Sequence, residues 1–589
     1  MRLIDRIYIK VLAWRRRYLR DYTFVLLLAV LVGVVAGLAS VLLKTIINTV
    51  EIYTTTLTSK GFFLFVPLLG ILLVSALKRF FFQKVSTFSG IGSIIYSIAR
   101  TNARIPGMLM YTRMITSGLT MGFGGSAGLE APAVVTGSAI GSNLASFFNL
   151  GHKFRTLFIG CGSAAGLAAI FNAPVAGTLF ALEVLIPHFS TEIFIPVLIS
   201  AASGSLFSQL FMDGEVLFQI SEVSVFKANE VPLVVLLGLL SGVTSIYYTK
   251  VGGWVQNQLK QMESWYLRAI VGGLLLGGLL YAFPLFYGEG YLSVRFLLDH
   301  EVNGLYESSL FSFLPGTALF LSIFMTALVL LKPIAASLTL GGGGDGGMFA
   351  PSFITGAYLG FLFYTLVILA FPSWQINPTN FILLGMSGVL AGVMHSPLTA
   401  IFLIAEMSGG YTLFIPLMII VACAYFMKLY FHQKPIYLQS KLLEDINFEH
   451  QEAISLHQME MQDLLETDLR QINPETNLGD LVKIIASSRR NIFPVVQAGQ
   501  LMGVLLLDDI RPIMFDTSRY QELKVKDMMV LPPTTIEWNE PMSSVLSKFE
   551  KTGAWNLPVL DQGKYKGFIS KSNILSEYRE ALRKSRDID

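Results

Sequence analysis

The chain has 589 residues and a mass of 64.9 kDa, enough for more than one compact domain. Hydrophobic residues make up 53% of it and charged residues 14%, with a mean hydropathy of +0.59, which excludes a soluble enzyme, a disordered chain and a collagen-like repeat. A net charge of +3 is too small to argue for nucleic acid, and two cysteines, Cys161 and Cys423, both in apolar segments, exclude a zinc cluster or a disulfide scaffold.

The N-terminus is basic, and Arg15, Arg16 and Arg17 stand just ahead of an apolar run at 23–43 that is long enough to span a bilayer. No small-residue cleavage site follows cleanly, so the segment reads as an uncleaved span, with the N-terminus in the cytoplasm by the positive-inside bias. Apolar runs continue to Tyr430. Those at 105–124, 133–149, 155–171, 174–187, 348–372 and 397–407 read as too short, or too broken by glycine and proline, for one straight span. Broken backbone survives at membrane depth only inside protein or against a watery cavity, so the breaks point to a transport path.

After Phe431 the character changes: roughly half of all charged residues follow position 433, as in a soluble domain. There PVVQAGQLMGVLLLDDI (494–510) matches PVLDQGKYKGFISKSNI (558–574), each copy reading as strand, tight glycine turn, strand and helix start. A second repeat lies in the apolar part. GLEAPAVVTGSAIG (128–141) aligns with GMFAPSFITGAYLG (347–360), and FNAPVAGTLFALEV (171–184) with MHSPLTAIFLIAEM (394–407), at an offset of roughly 220 residues. Two blocks in order at one offset are what a duplicated transporter fold requires.

Three glycine-rich stretches lead into apolar helical runs: SGIG (89–92), GLEAP (128–132) and GGMFAP (346–351). A helix start presents unpaired N–H groups and the positive end of the helix dipole, and three converging starts hold a small anion without a fixed counter-charge. Close helix packing is the bland alternative for any single stretch. Glu130 sits inside one start, where a carboxylate at membrane depth is costly and points to function. As a tethered competitor it would take the anion's own place, and protonation would release it. Its repeat counterpart is Phe349, whereas Glu183 and Glu406 occupy matched places and read as structural hydrogen-bonding groups.

These residues resemble the CLC family of chloride channels and chloride/proton exchangers, followed by a pair of CBS domains, and the resemblance covers nearly the whole chain. The family's GSGIP signature is degraded to Phe88-Ser89-Gly90-Ile91-Gly92, keeping the anion-contacting Ser89. Its GREGP becomes Gly128-Leu129-Glu130-Ala131-Pro132, keeping the gate glutamate but losing the basic residue before it, so the usual positive outer vestibule is not implied. GGxFAP is intact at 346–351, which implies that Met348 and Phe349 offer backbone N–H groups, with Asp345 an unexpected negative charge beside them. Tyr437 in KPIY matches the pore tyrosine. The proton-relay glutamate of the exchangers is replaced by Val184, as in the family's channels, which points to a passive conductor rather than an antiporter with another proton path.

The resemblance implies an all-α polytopic membrane protein with an inverted internal repeat, plus an α/β cytosolic CBS pair. The expected organisation is a transmembrane domain over 1–437, a polar helical linker over 438–463, a first CBS domain over 464–518, and a second with its tail over 519–589. It further implies a homodimer in the plasma or inner membrane with cytoplasmic termini, binding chloride or other small anions, with no required cofactor and no nucleic acid. An adenine nucleotide at the CBS pair rests on incomplete signatures, Leu506 to Asp509 and Ser570 to Asn573, so a dimerising platform reads at least as well. Enzyme readings lack their parts. His300-Glu301 has no second histidine, Ser126 and Ser163 have no partner base, His395 reads as a core histidine, and no phosphate-binding GxxxxGK[ST] occurs. A CBS-gated cation channel would need rings of carboxylates in the path.

Overall fold

The structure, a computed structural model, describes residues 21–57, 64–83, 90–186, 190–212, 218, 220, 223–307, 309–313, 316–431, 435–438, 461–488, 490–540 and 542–577. Arg15 to Arg17, Ser89 and most of the linker lie outside the described residues. The chain divides into two units, Met1–Asp445 and Ile446–Asp589.

The first unit is helical. In chain order it contains α1 (Asp21–Leu57), α2 (Val66–Phe80), α3 (Ile91–Arg100), α4 (Leu109–Gly122), α5 (Glu130–Phe147), α6 (His152–Phe171), α7 (Pro174–Phe180) and α8 (Thr191–Phe211). Then come α9 (Val231–Lys260), α10 (Trp265–Ala282), α11 (Tyr291–Leu298), α12 (Ala318–Gly341), α13 (Phe349–Ala370), α14 (Pro378–Met394), α15 (Pro397–Met407) and α16 (Phe414–Phe431). Among the described residues, 8 helical stretches are long and apolar enough to cross a membrane. Helix is what an apolar chain must adopt there, because lipid offers its backbone no hydrogen-bond partners.

Three runs expected to be short or broken are not. The stretches 133–149, 155–171 and 348–372 fall largely in the uninterrupted helices α5, α6 and α13, of 18, 20 and 22 residues. Their small residues permit close packing without ending the helix, and Pro351 falls in the first turn of α13, where no backbone bond is lost.

Both halves of the unit repeat one arrangement. Gly137 of α5 and Gly162 of α6 face each other so closely that a Cβ on either would strike the other's carbonyl oxygen. Gly356 of α13 and Gly385 of α14 meet in the same reciprocal way. Each second helix ends on a left-handed residue, Asn172 (φ 55°) or His395 (φ 53°), and a proline, Pro174 or Pro397, opens the next helix.

The second unit holds a five-stranded sheet of order β1-β2-β5-β4-β3, from β1 (Ile492–Gln497), β2 (Gln500–Leu506), β3 (Ile536–Glu537), β4 (Asn556–Asp561) and β5 (Lys564–Ser570). The two copies read from the sequence are the antiparallel hairpins β1–β2 and β4–β5. Each turns on two residues of positive φ, Ala498-Gly499 and Gln562-Gly563, and each carries a register shift at the matching place, Val495/Val496 and Val559/Leu560. The repeat extends upstream of the matched blocks: Ile472 pairs parallel with Val495 as Ile536 does with Val559. The copies also exchange segments, Glu466 pairing with Phe568 and Val530 with Val504.

Candidate functional site

The two halves of the helical unit touch at repeat-equivalent residues. Gly128 N–H donates to the Gly347 carbonyl at 2.9 Å, and Gly347 N–H donates back to Gly128 at 2.8 Å. This reciprocal bridge joins the loops that lead into α5 and α13, so both helix starts face one place. Glu183 and Glu406 extend the exchange. Glu183 accepts from the N–H groups of Leu398 and Thr399, at 2.8 and 2.9 Å, and from the Thr399 hydroxyl at 2.6 Å. Glu406 accepts from Val175 and Ala176 at 3.0 and 2.8 Å. Each glutamate thus caps the first turn of the short helix in the other half, the structural role their matched positions suggested. Val184, beside Glu183, is buried in a π-helical turn over Ala181–Leu185.

A cavity of about 700 Å³ brings the other expected residues together. Gly90 and Ile91 at the start of α3, Ala131, Met348, Phe349 and Tyr437 all line it, with Lys78, Lys260 and Arg268 among the basic groups on its wall. Gly90 sits at φ 72°, a positive-φ conformation that glycine adopts readily and that lets the chain turn into α3. Tyr437 lies on one 3-10 turn, Ile436–Leu438, and not at the start of a described helix. Met348 is held by Tyr248, whose hydroxyl donates to its carbonyl at 3.1 Å, and the Phe349 ring packs on Phe171, Phe180 and Phe353.

Glu130 does not line this cavity. It is 1% exposed, and its carboxylate reaches across the Gly128–Gly347 bridge to the start of α13. Oε2 accepts from the Ala350 N–H at 3.3 Å and Oε1 from the Tyr291 hydroxyl at 3.0 Å. A second cavity, of about 1020 Å³, is lined by Tyr291 and by the carboxylates of Glu51, Glu289, Glu301 and Glu307.

Several charged residues here have no signature in the sequence. Asp345 is not a free negative charge beside an anion route: both of its oxygens accept from Arg113 Nη1, at 2.8 and 2.7 Å, and Oδ2 also accepts from the Thr116 hydroxyl. Lys78 Nζ stands 3.7 Å from the same carboxylate and donates to the carbonyls of Gly343 and Gly344, at 3.2 and 3.0 Å. On the other side of the bridge the fully buried Lys332 donates to Ser126 Oγ at 3.0 Å and to the Glu289 carbonyl at 3.2 Å. That ammonium binds the loop preceding Glu130, where Leu129 replaced the expected basic side chain. A polar place among apolar neighbours was the one clue to Lys332; Tyr291 was marked only by its glycine-framed setting in Gly288-Glu289-Gly290-Tyr291.

In the sheet unit, Ser570 Oγ donates to Glu466 Oε1 at 2.5 Å and accepts from the Asn573 N–H at 3.1 Å, while Arg490 bridges Glu466 and Asp468. Ser570 therefore serves as a helix cap tied to Glu466, and a ribose hydroxyl would have to displace that bond.

The family model described as the voltage gated chloride channel matches residues 70–429, and that of the CBS domain matches 461–516 and 525–580. A ClcB-like protein of Ralstonia nicotianae, named as a chloride channel, is 28% identical over 323 residues, which are 53% of this chain and 70% of that protein. The chloride channel protein CLC-e of Arabidopsis thaliana is 28% identical over 375 residues, 60% of this chain and 50% of its own length. Among solved structures, a slow cyanobacterial Cl-/H+ antiporter superposes with a TM-score of 0.62 at 21% identity, covering 73% of this chain and 100% of that one. A CLC-type fluoride/proton antiporter gives 0.59 at 24%, covering 70% and 97%, and a eukaryotic CLC transporter gives 0.58 at 17%, covering 93% and 97%. At these identities the structural likeness speaks for the fold.

Proposed function

The chain belongs to the voltage-gated chloride channel family of multi-pass membrane proteins that transport anions, with a C-terminal CBS pair, and from that membership we propose a passive chloride conductor gated by Glu130. The observation that carries this reading is the bond from the Ala350 N–H to the Glu130 carboxylate. The side chain reaches the start of α13, where a bound anion would be stabilised, at Ala350, the residue after the cavity-lining Phe349. A carboxylate there excludes a chloride by occupancy and by like charge. Once protonated it loses its charge and its hold on the helix N-terminus, and the anion takes its place. Gly90, Ile91, Met348, Phe349 and Tyr437 are the groups assigned to the anion, and Ser89 is assigned with them from its signature alone.

Val184 supports conduction over exchange, because an aliphatic side chain relays no proton. The rival reading, a chloride/proton antiporter with another proton path, draws on the two solved neighbours that are proton antiporters. We assign the protein to the plasma or inner membrane, as a homodimer with both termini cytoplasmic, and the CBS pair to assembly rather than to adenine nucleotide.

The gate is tested by chloride efflux from vesicles across pH. Glu130→Gln should raise flux and flatten its pH dependence, since the glutamine mimics the protonated acid. Unchanged flux and an unchanged pH profile would remove the assignment.

A further inference from the structure

We propose that Tyr291 is the latch of the gate: its hydroxyl holds the Glu130 carboxylate in the anion's place and so sets the pH at which the path opens. The inference rests on the gate reading of Glu130. Tyr291 is the first residue of α11, placed there by Gly290, which precedes the helix at φ 97°. No side chain fits easily at Gly290, since a Cβ would stand 3.0 Å from Lys332 Nζ. The Tyr291 ring is fixed on two sides, stacked on Phe353 of α13 at 6.1 Å between centroids and edge-on to Phe218 at 5.8 Å. Its hydroxyl is thereby aimed at Glu130 Oε1 at 3.0 Å, while the same residue lines the acidic cavity.

The Tyr291 hydroxyl and the Ala350 N–H both donate to the Glu130 carboxylate, and they differ in kind. The Ala350 N–H belongs to the helix start and serves a chloride as well as a carboxylate. The tyrosine hydroxyl belongs to another helix, α11, and bonds the other carboxylate oxygen, Oε1, so it favours the gate over the anion. The other ionisable groups facing Glu130 are Tyr248 of α9, engaged with the Met348 carbonyl, and Glu289 in the turn before α11. Lys332 of α12 stands behind them, engaged with Ser126 and Glu289. When ionised, Glu289 carries the same charge as Glu130 and opposes its seating, whereas the Tyr291 hydroxyl donates to the carboxylate and favours it.

A hydrogen bond to a charged group is strong enough to shift the seated-to-released equilibrium about 10-fold. Tyr291→Phe keeps both ring contacts and removes only the hydroxyl. In full-length protein reconstituted in vesicles, it should raise chloride efflux at neutral pH and move the pH midpoint of activation up by about one unit, because the ionised gate loses a donor. In the Glu130→Gln background the same substitution should change nothing. If Glu130→Gln alters flux while Tyr291→Phe leaves flux and midpoint unchanged, the latch is overturned and the gate stands. If Tyr291→Phe raises flux equally in the Glu130→Gln background, the tyrosine acts elsewhere and the latch is again overturned. If Glu130→Gln itself changes nothing, the gate reading fails instead.

Discussion

Asp345 and Arg113 show how a buried charge is made tolerable in an apolar unit. They are 5% and 4% exposed, and the pair is supplemented by Thr116 and Lys78. Asp345→Asn would leave the Arg113 guanidinium buried with a weaker acceptor. Breaking such a pair on one side costs about 3–5 kcal/mol, and asparagine, which keeps one oxygen, should fall at the low end. Thermal unfolding in detergent should therefore drop clearly for Asp345→Asn and for Arg113→Met, with the double variant losing less than the sum. Strict additivity would mean that the two do not act as a pair. Glu130 itself was legible in the sequence because glycine and proline punctuate the chain next to it. Its partner Tyr291 was not, since the two lie 161 residues apart, and Arg113 and Asp345 lie 232 apart. No local pattern marks contacts of that range.

At the scale of elements, the crossed glutamate caps tie each half's short helix to the other half. Glu183 accepts from three donors and Glu406 from two, the difference being the Thr399 hydroxyl, whose counterpart is Ala176. Replacing a cap costs about 0.5–2 kcal/mol, so Glu183→Gln should destabilise the unit more than Glu406→Gln. Equal losses in thermal unfolding would contradict this ordering. Matched positions had indicated a structural role for both glutamates, but not that each serves the opposite half. That follows only from the two-fold relation, in which contacts between equivalent parts are reciprocal. The hairpins of the CBS pair were more fully legible, because a two-residue turn and flanking alternation are local. The exchanged segments at Glu466 and Val530 were missed, as a single paired residue leaves no periodicity to read.

At the scale of the whole molecule the open choice is between conduction and exchange. A conductor reverses at the chloride equilibrium potential whatever the proton gradient, whereas an antiporter's reversal moves with pH in a fixed ratio. Val184 leads to the expectation that the reversal potential of reconstituted protein stays at the chloride value when pH is stepped on one side. A proportional shift would establish the exchanger.

The sequence by itself determined that the chain enters a bilayer, that both of its parts are duplicated, and that Glu130 stands nearly alone among glycine-framed helix starts. Those are consequences of composition and short-range pattern, which survive without a fold. Only the tertiary structure decided where the carboxylate points, that Asp345 is neutralised by Arg113, and that a tyrosine hydroxyl meets Glu130 while a buried lysine holds the loop before it. The reason is physical. A charge in a low-dielectric interior is governed by the few groups within hydrogen-bond reach, and helix packing, not chain order, chooses those groups.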